Sequence, residues 1–143
     1  MKEKIIVSAC LLGTPCRYDG RSKPCENVLS LKKRFEIIPV CPEVLGGLST
    51  PRLPCELKNG RVIRQDGEDM TAFYQKGAEI TLALAKENAC KIAILKEKSP
   101  SCSPHQHYDG TFSKKLVDGL GITAKLLCES GIRVLGENET EQI

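Results

Sequence analysis

Four short apolar runs punctuate the chain: residues 4–9, 35–40, 92–95 and 132–135. None alternates cleanly with polar positions, so each reads as a strand buried on both faces. Pro39, inside the second run, points to an edge position or to an early end of that strand. Between the runs the apolar spacing turns helical. Val28, Leu29 and Leu31, followed by Lys32, Lys33 and Arg34, predict a short helix over 26–34 whose cations suit a C-terminus. A longer helix is predicted over 70–89, with Asp69 as its N-cap and Ala72, Phe73, Gly77, Ile80, Leu84 and Ala85 facing the core. A third, over 121–130, carries Ile122, Leu126 and Leu127 and stops at Gly131. Asn59-Gly60 between two short runs predicts a hairpin. Residues 41–54 and 103–112 read as loops, the first rigid with Pro and Gly. The last seven residues read as a polar, frayed tail.

This order predicts an α/β fold over residues 1–136. It is a single three-layer domain, a mainly parallel four-stranded sheet with helices on both faces plus a small β-hairpin insertion, with residues 137–143 as a tail. Right-handed crossovers bring all the strand carboxyl ends to one edge, and ligands of such sheets bind outside that edge where the strand order reverses. Three of the runs end near a cysteine: Cys10, Cys41 and Cys102. The last lies in the turn Ser99-Pro-Ser-Cys102, which Pro100 forces out of helical geometry.

Composition narrows the chemistry. Lys and Arg are scattered and the formal charge is only +3, so no dedicated nucleic-acid surface is expected. The three apolar residues after Met1-Lys-Glu-Lys are too few for a secretory signal, and no run has the length of a membrane span. A cytoplasmic protein is expected, and there disulfides are rare. Eight cysteines in 143 residues then point to metal or catalysis, yet no Cys-x-x-Cys occurs. A site must be assembled from distant parts of the chain.

The strand-end thiols Cys10, Cys41 and Cys102 suit a soft metal. Cys16 is a fourth candidate. If it joined, the site would be closed. Without it, an iron–sulfur cluster on three cysteines would keep one iron open as a Lewis acid. Cys90 and Cys128 read as small apolar residues of helix faces. Glu43, two residues past Cys41, would activate water if burial raised its pKa. Ser99 and Ser101 stand in the same turn as Cys102, and Arg17 and Arg52, in loops at the same edge, suit a carbonyl or anionic group of a substrate. The alternative is a zinc- or metal-binding domain with a structural or nucleotide-binding role, its zinc held by the thiols; a zinc site of His105 and His107 with Cys102 ranks below an iron–sulfur cluster. Thiol redox chemistry through Cys10 and Cys16 ranks last.

Ser8-Ala-Cys-Leu-Leu-Gly13, Arg17-Tyr-Asp-Gly20, Cys41-Pro-Glu43 with Gly46-Gly47 and Pro51-Arg52, Ser99-Pro-Ser-Cys102, Tyr108-Asp-Gly-Thr-Phe112 and Gly121-Ile-Thr-Ala124 occur in this order. Together they resemble a widespread bacterial family, first known as a domain of unknown function, whose characterised members are iron–sulfur-dependent thiouracil desulfidases. The resemblance spans essentially the whole chain. It implies a [4Fe-4S] cluster on Cys10, Cys41 and Cys102 whose fourth iron takes sulfur from a thiolated base or nucleoside without redox change. It also implies a glutamate and a serine that activate or position water, matched by Glu43 and by Ser99 or Ser101. Ser103 stands where the family pattern leads one to expect glycine.

Overall fold

The computed structural model describes residues 2–143. Its sheet is built from β1 (Glu3–Ser8), β2 (Phe35–Val40), a third long-range partner at Ile92–Leu95 and a fourth at Arg133–Gly136. Numbered along the chain these are β1, β2, β5 and β8, because a hairpin, β3 (Cys55–Lys58) with β4 (Arg61–Arg64), and a second one, β6 (Gln106–Tyr108) with β7 (Leu116–Asp118), intervene. The sheet order is β2-β1-β5-β8 and every pairing in it is parallel. β2 is therefore an edge, as Pro39 requires. The order reverses beside β1, which places the crevice expected of such sheets next to the tips of β1 and β5.

Period-two alternation distributes the strand side chains between two cores. Ile5, Val7, Ile94 and Leu135 pack with Leu11, Val28 and Leu31, from the 3-10 turn Ala9–Leu12, the short helix α1 (Glu26–Leu29) and the turn Ser30–Lys33. Ile6, Val40, Ala93 and Leu95 pack on the other face against Ala85, Ala124 and Leu127. Those last three come from α3 (Thr71–Glu87) and α4 (Ile122–Glu129). Three layers result, as expected.

Several expectations change. Residues 42–45 are not loop but a one-turn helix, α2 (Pro42–Leu45), started by Pro42 in its first turn, a position where its missing N–H costs nothing. Asp69 lies one residue before the N-cap, Met70, although its Oδ1 still accepts from the Thr71 amide at 2.9 Å. The buried stripe of α3 is Thr71, Tyr74, Gly77, Ala78, Thr81 and Ala85, and Phe73 is left 42% exposed. The cause is Gly77. A Cβ there would run into the Pro42 carbonyl, and one on Gly46 into the Phe73 carbonyl, so α2 and α3 meet backbone to backbone and fix which face of α3 turns inward. Residues 103–112, expected as loop, contribute β6. Cys128 is exposed, not a buried apolar residue, whereas Cys90 is buried.

The tail is docked rather than frayed. Glu137 accepts from the Glu97 amide at 2.8 Å and pairs with Lys96 at 3.1 Å, Thr140 is buried, and Ile143 packs on the first core. Glu139 accepts from the Gly136 amide and lies 2.6 Å from His105 Nε2. The bond to Glu139 raises the His105 pKa above its ordinary 6.5. A raised histidine pKa stabilises the fold below the unfolded value and loses that contribution as pH climbs through the folded one. Amide exchange of residues 137–143, corrected for intrinsic rate, is expected to be slower at pH 6 than at pH 9. In His105→Gln that difference disappears.

Candidate active site

A cavity of about 350 Å³ opens at the carboxyl edge of the sheet. Three of the four strand tips deliver a thiol to it: Cys10 from the 3-10 turn after β1, Cys41 from the last residue before α2, and Cys102 from the turn after β5. Burial holds the Cys102 thiol up at about 12. Cys41 is also raised, first by its contact with the Cys16 thiol and then by burial. A soft cation entering the cavity must displace those protons.

Cys16 lies in the same wall. The neighbouring Cys10 thiol raises the Cys16 pKa, and the Cys16 carbonyl accepts from Cys41 Sγ at 3.8 Å. All eight cysteines are free thiols. Among the described residues no three Cys, His, Asp or Glu side chains converge tightly enough to hold one ion. The histidines of the zinc alternative are engaged elsewhere, His105 with Glu139 and His107, through Nδ1, with the Tyr108 carbonyl at 2.7 Å. Three thiols that line one cavity could each supply a ligand to an iron–sulfur cluster.

Glu43, in the first turn of α2, enters from the side. Its Oε1 accepts from the Tyr74 hydroxyl at 2.6 Å and from Arg52, with Nε at 3.4 Å and Nη2 at 3.3 Å. No donor reaches Oε2 among the described residues. Arg52 is engaged within the protein. It lines the cavity, but its remaining donors go to the Ser49 carbonyl, Thr50 Oγ1 and the Cys16 carbonyl. It ties Glu43 to the loop that carries Cys16. Arg17 also lines the cavity, and its side chain has no partner among the described residues.

The two serines separate. Ser99 lines the cavity, and its Oγ accepts from the Ser101 and Cys102 amides at 3.1 and 3.0 Å, leaving its hydroxyl hydrogen to donate outward. Ser101 is fully buried and bonds Thr123 Oγ1 at 2.8 Å. It docks the turn on the start of α4, whose Thr123 amide also bonds the Ser101 carbonyl at 2.8 Å. Ser103 is buried beneath the turn, its Oγ without a partner.

Sequence reasoning missed part of the wall. Glu56 on β3 is buried, and its Oε1 accepts from the Gly110 and Phe112 amides at 2.9 and 3.1 Å. That bond holds the Tyr108-Asp-Gly-Thr-Phe112 segment over the cavity, where Tyr108 and Phe112 line it. Cys55 lines it too, and its thiol meets Tyr74. An Asp-Gly turn flanked by aromatics was the only available signal.

Fold and site define a parallel α/β domain with a cysteine crevice of the iron–sulfur type. More particularly, residues 5–139 match the sequence profile of the 2-thiouracil desulfurase family, and the chain belongs to that family. It is 44% identical over 149 residues to the uncharacterized protein YbbK of Bacillus subtilis (strain 168), covering 97% of this chain and 99% of that one. Among solved structures it resembles the [4Fe-4S]-dependent thiouracil desulfidase TudS (DUF523Vcz), with a TM-score of 0.92 and 43% identity over 99% of this chain and 95% of that one. No helix among the described residues is long and apolar enough to cross a membrane.

Proposed function

We propose that this chain desulfurates thiouracil-like bases, exchanging C=S for C=O, with Cys10, Cys41 and Cys102 as the ligands of a [4Fe-4S] cluster. One observation carries the reading: the three strand-end thiols line a single cavity together with Glu43 and Ser99. When bound, such a cluster supplies an iron without a protein ligand, a Lewis acid for the C=S sulfur.

The chain's own groups supply the rest. Glu43 Oε2 takes a proton from water as the water oxygen attacks the ring carbon. The Ser99 hydroxyl holds that water. Arg17 is placed to bind a ring oxygen or another polar substituent of the base or nucleoside. Water and the thiolated base become the oxo base and hydrogen sulfide, with no net oxidation. Burial of the thiols keeps bulk water from competing for the metal-binding groups.

Anaerobic reconstitution with ferrous iron and sulfide tests the site. About four irons and four sulfides per chain, with brown absorbance, are expected. Zinc in their place supports the structural metal-site alternative instead. Cys16→Ser is expected to keep the iron and sulfide content of the parent, because the resemblance assigns ligation to the three strand-end cysteines alone. A fall to half or less would make Cys16 a ligand.

A further inference from the structure

We infer that Tyr74 is a positioning residue of this site: its hydroxyl fixes the Glu43 carboxylate so that Oε2 is the oxygen left to accept a proton. The inference rests on Glu43 being the base. It names a residue that no sequence motif of the site contains.

The geometry is specific. Tyr74 is 1% exposed, so its ring is locked in the stripe that α3 presents inward. Its hydroxyl donates to Oε1 at 2.6 Å, in the short range of charge-assisted bonds. Burial, and then the nearby Glu43 charge, raise its pKa, so the phenol is a donor and not a competing base. Arg52 reaches the same Oε1 only at 3.3–3.4 Å while spending other donors on Ser49, Thr50 and Cys16. Without the phenol, one long contact from a shared guanidinium would hold the carboxylate, and either oxygen could turn to the cavity. The backbone contact between α2 and α3 at Gly46 and Gly77 is what brings the two side chains within reach.

Filling the core does not need this hydroxyl. A phenylalanine occupies nearly the same volume and keeps the packing of the ring with Leu57, Val62 and Met70. Tyr74→Phe therefore separates packing from positioning.

In the anaerobically reconstituted enzyme, Tyr74→Phe is expected to lower kcat for thiouracil about 10- to 100-fold, as loss of a bond to a charged group does. KM, iron content and thermal midpoint should stay near the parent values. The double variant Tyr74→Phe/Glu43→Gln should be no slower than Glu43→Gln alone, since both changes remove the same contribution. A full kcat in Tyr74→Phe beside a slow Glu43→Gln overturns the inference and leaves the base in place. Losses that multiply in the double variant also overturn it. A full rate in Glu43→Gln removes the base and the inference together.

A readout without turnover uses the full chain before reconstitution. The side-chain carboxyl carbon resonance of Glu43, assigned by its disappearance in Glu43→Gln, should move in Tyr74→Phe. It should move as well when 3-fluorotyrosine, a stronger donor of nearly the same shape, replaces the tyrosines, so the test does not depend on the folding of one variant. An unmoved resonance overturns the inference.

Discussion

Cys41→Ser is expected to leave the protein folded but unable to retain its cluster, with iron, sulfide and thiouracil turnover all lost. The sulfur is the soft donor that iron–sulfur ligation requires, and serine offers a hard oxygen in nearly the same volume. Cys41 is only half-buried, at the junction of β2 and α2. It packs at the margin of the first core and serine nearly conserves its volume, so the far-ultraviolet circular dichroism of the variant should match the parent. Cys102→Ser should lose the cluster too, with some added loss of stability because that site is 5% exposed within the second core. Cys128→Ser is the control. Its thiol is exposed near the end of α4, far along the chain from every strand tip that faces the cavity, and it should keep cluster and rate. A Cys41→Ser protein that retained the parent's iron and sulfide would remove Cys41 from the ligand set.

The second large effect belongs to Glu43→Gln. Glutamine keeps the shape, still accepts from Tyr74 and Arg52 through its carbonyl oxygen, and cannot take a proton. A general base contributes about 10²–10⁴-fold, and kcat should fall within that range while the cluster content stays at the parent level. Iron counting beside the rate separates lost chemistry from a lost cofactor. Unchanged kcat with an intact cluster would mean that another group, or water alone, accepts the proton.

What the sequence could and could not show follows from where the determinants lie. β2 and β5 fall where their apolar runs begin and end, and the β3–β4 hairpin turns at Asn59-Gly60 as expected. Those signals are local. Parallel order then follows from the alternation of strand and helix, and it brings Cys10, Cys41 and Cys102 to one edge. The failures are equally physical. One turn of helix, as in α2, is too short to show a period, and the three-residue strands β6 and β7 carry no alternation to read. The face of α3 is selected by a backbone contact at Gly77, so the large side chain Phe73 misleads, whereas Leu84 does pack on the second core. That rotation hid Tyr74. Ser99 and Ser101 are equivalent as sequence, and only the Thr123 contact tells the structural one from the one that faces the cavity. Arg52 is legible as a residue of the site but not as a clamp, because its partners Ser49, Thr50 and Cys16 meet it only in the folded loops. The docked tail depends on ion pairs with Lys96 and His105 that no local pattern announces.

The proposed reaction removes sulfur from a thiolated base at a cluster held by the three strand-end thiols, without redox turnover. Its most direct test is an anaerobic reaction of thiouracil with the reconstituted protein in the absence of any reductant or oxidant, following loss of the C=S absorbance and release of uracil and sulfide. The account predicts one uracil and one sulfide for each thiouracil consumed, over many turnovers, and none from the cluster-free protein. Equal rates with and without the cluster, or a chain fully loaded with iron and sulfide that leaves thiouracil unchanged, would contradict it.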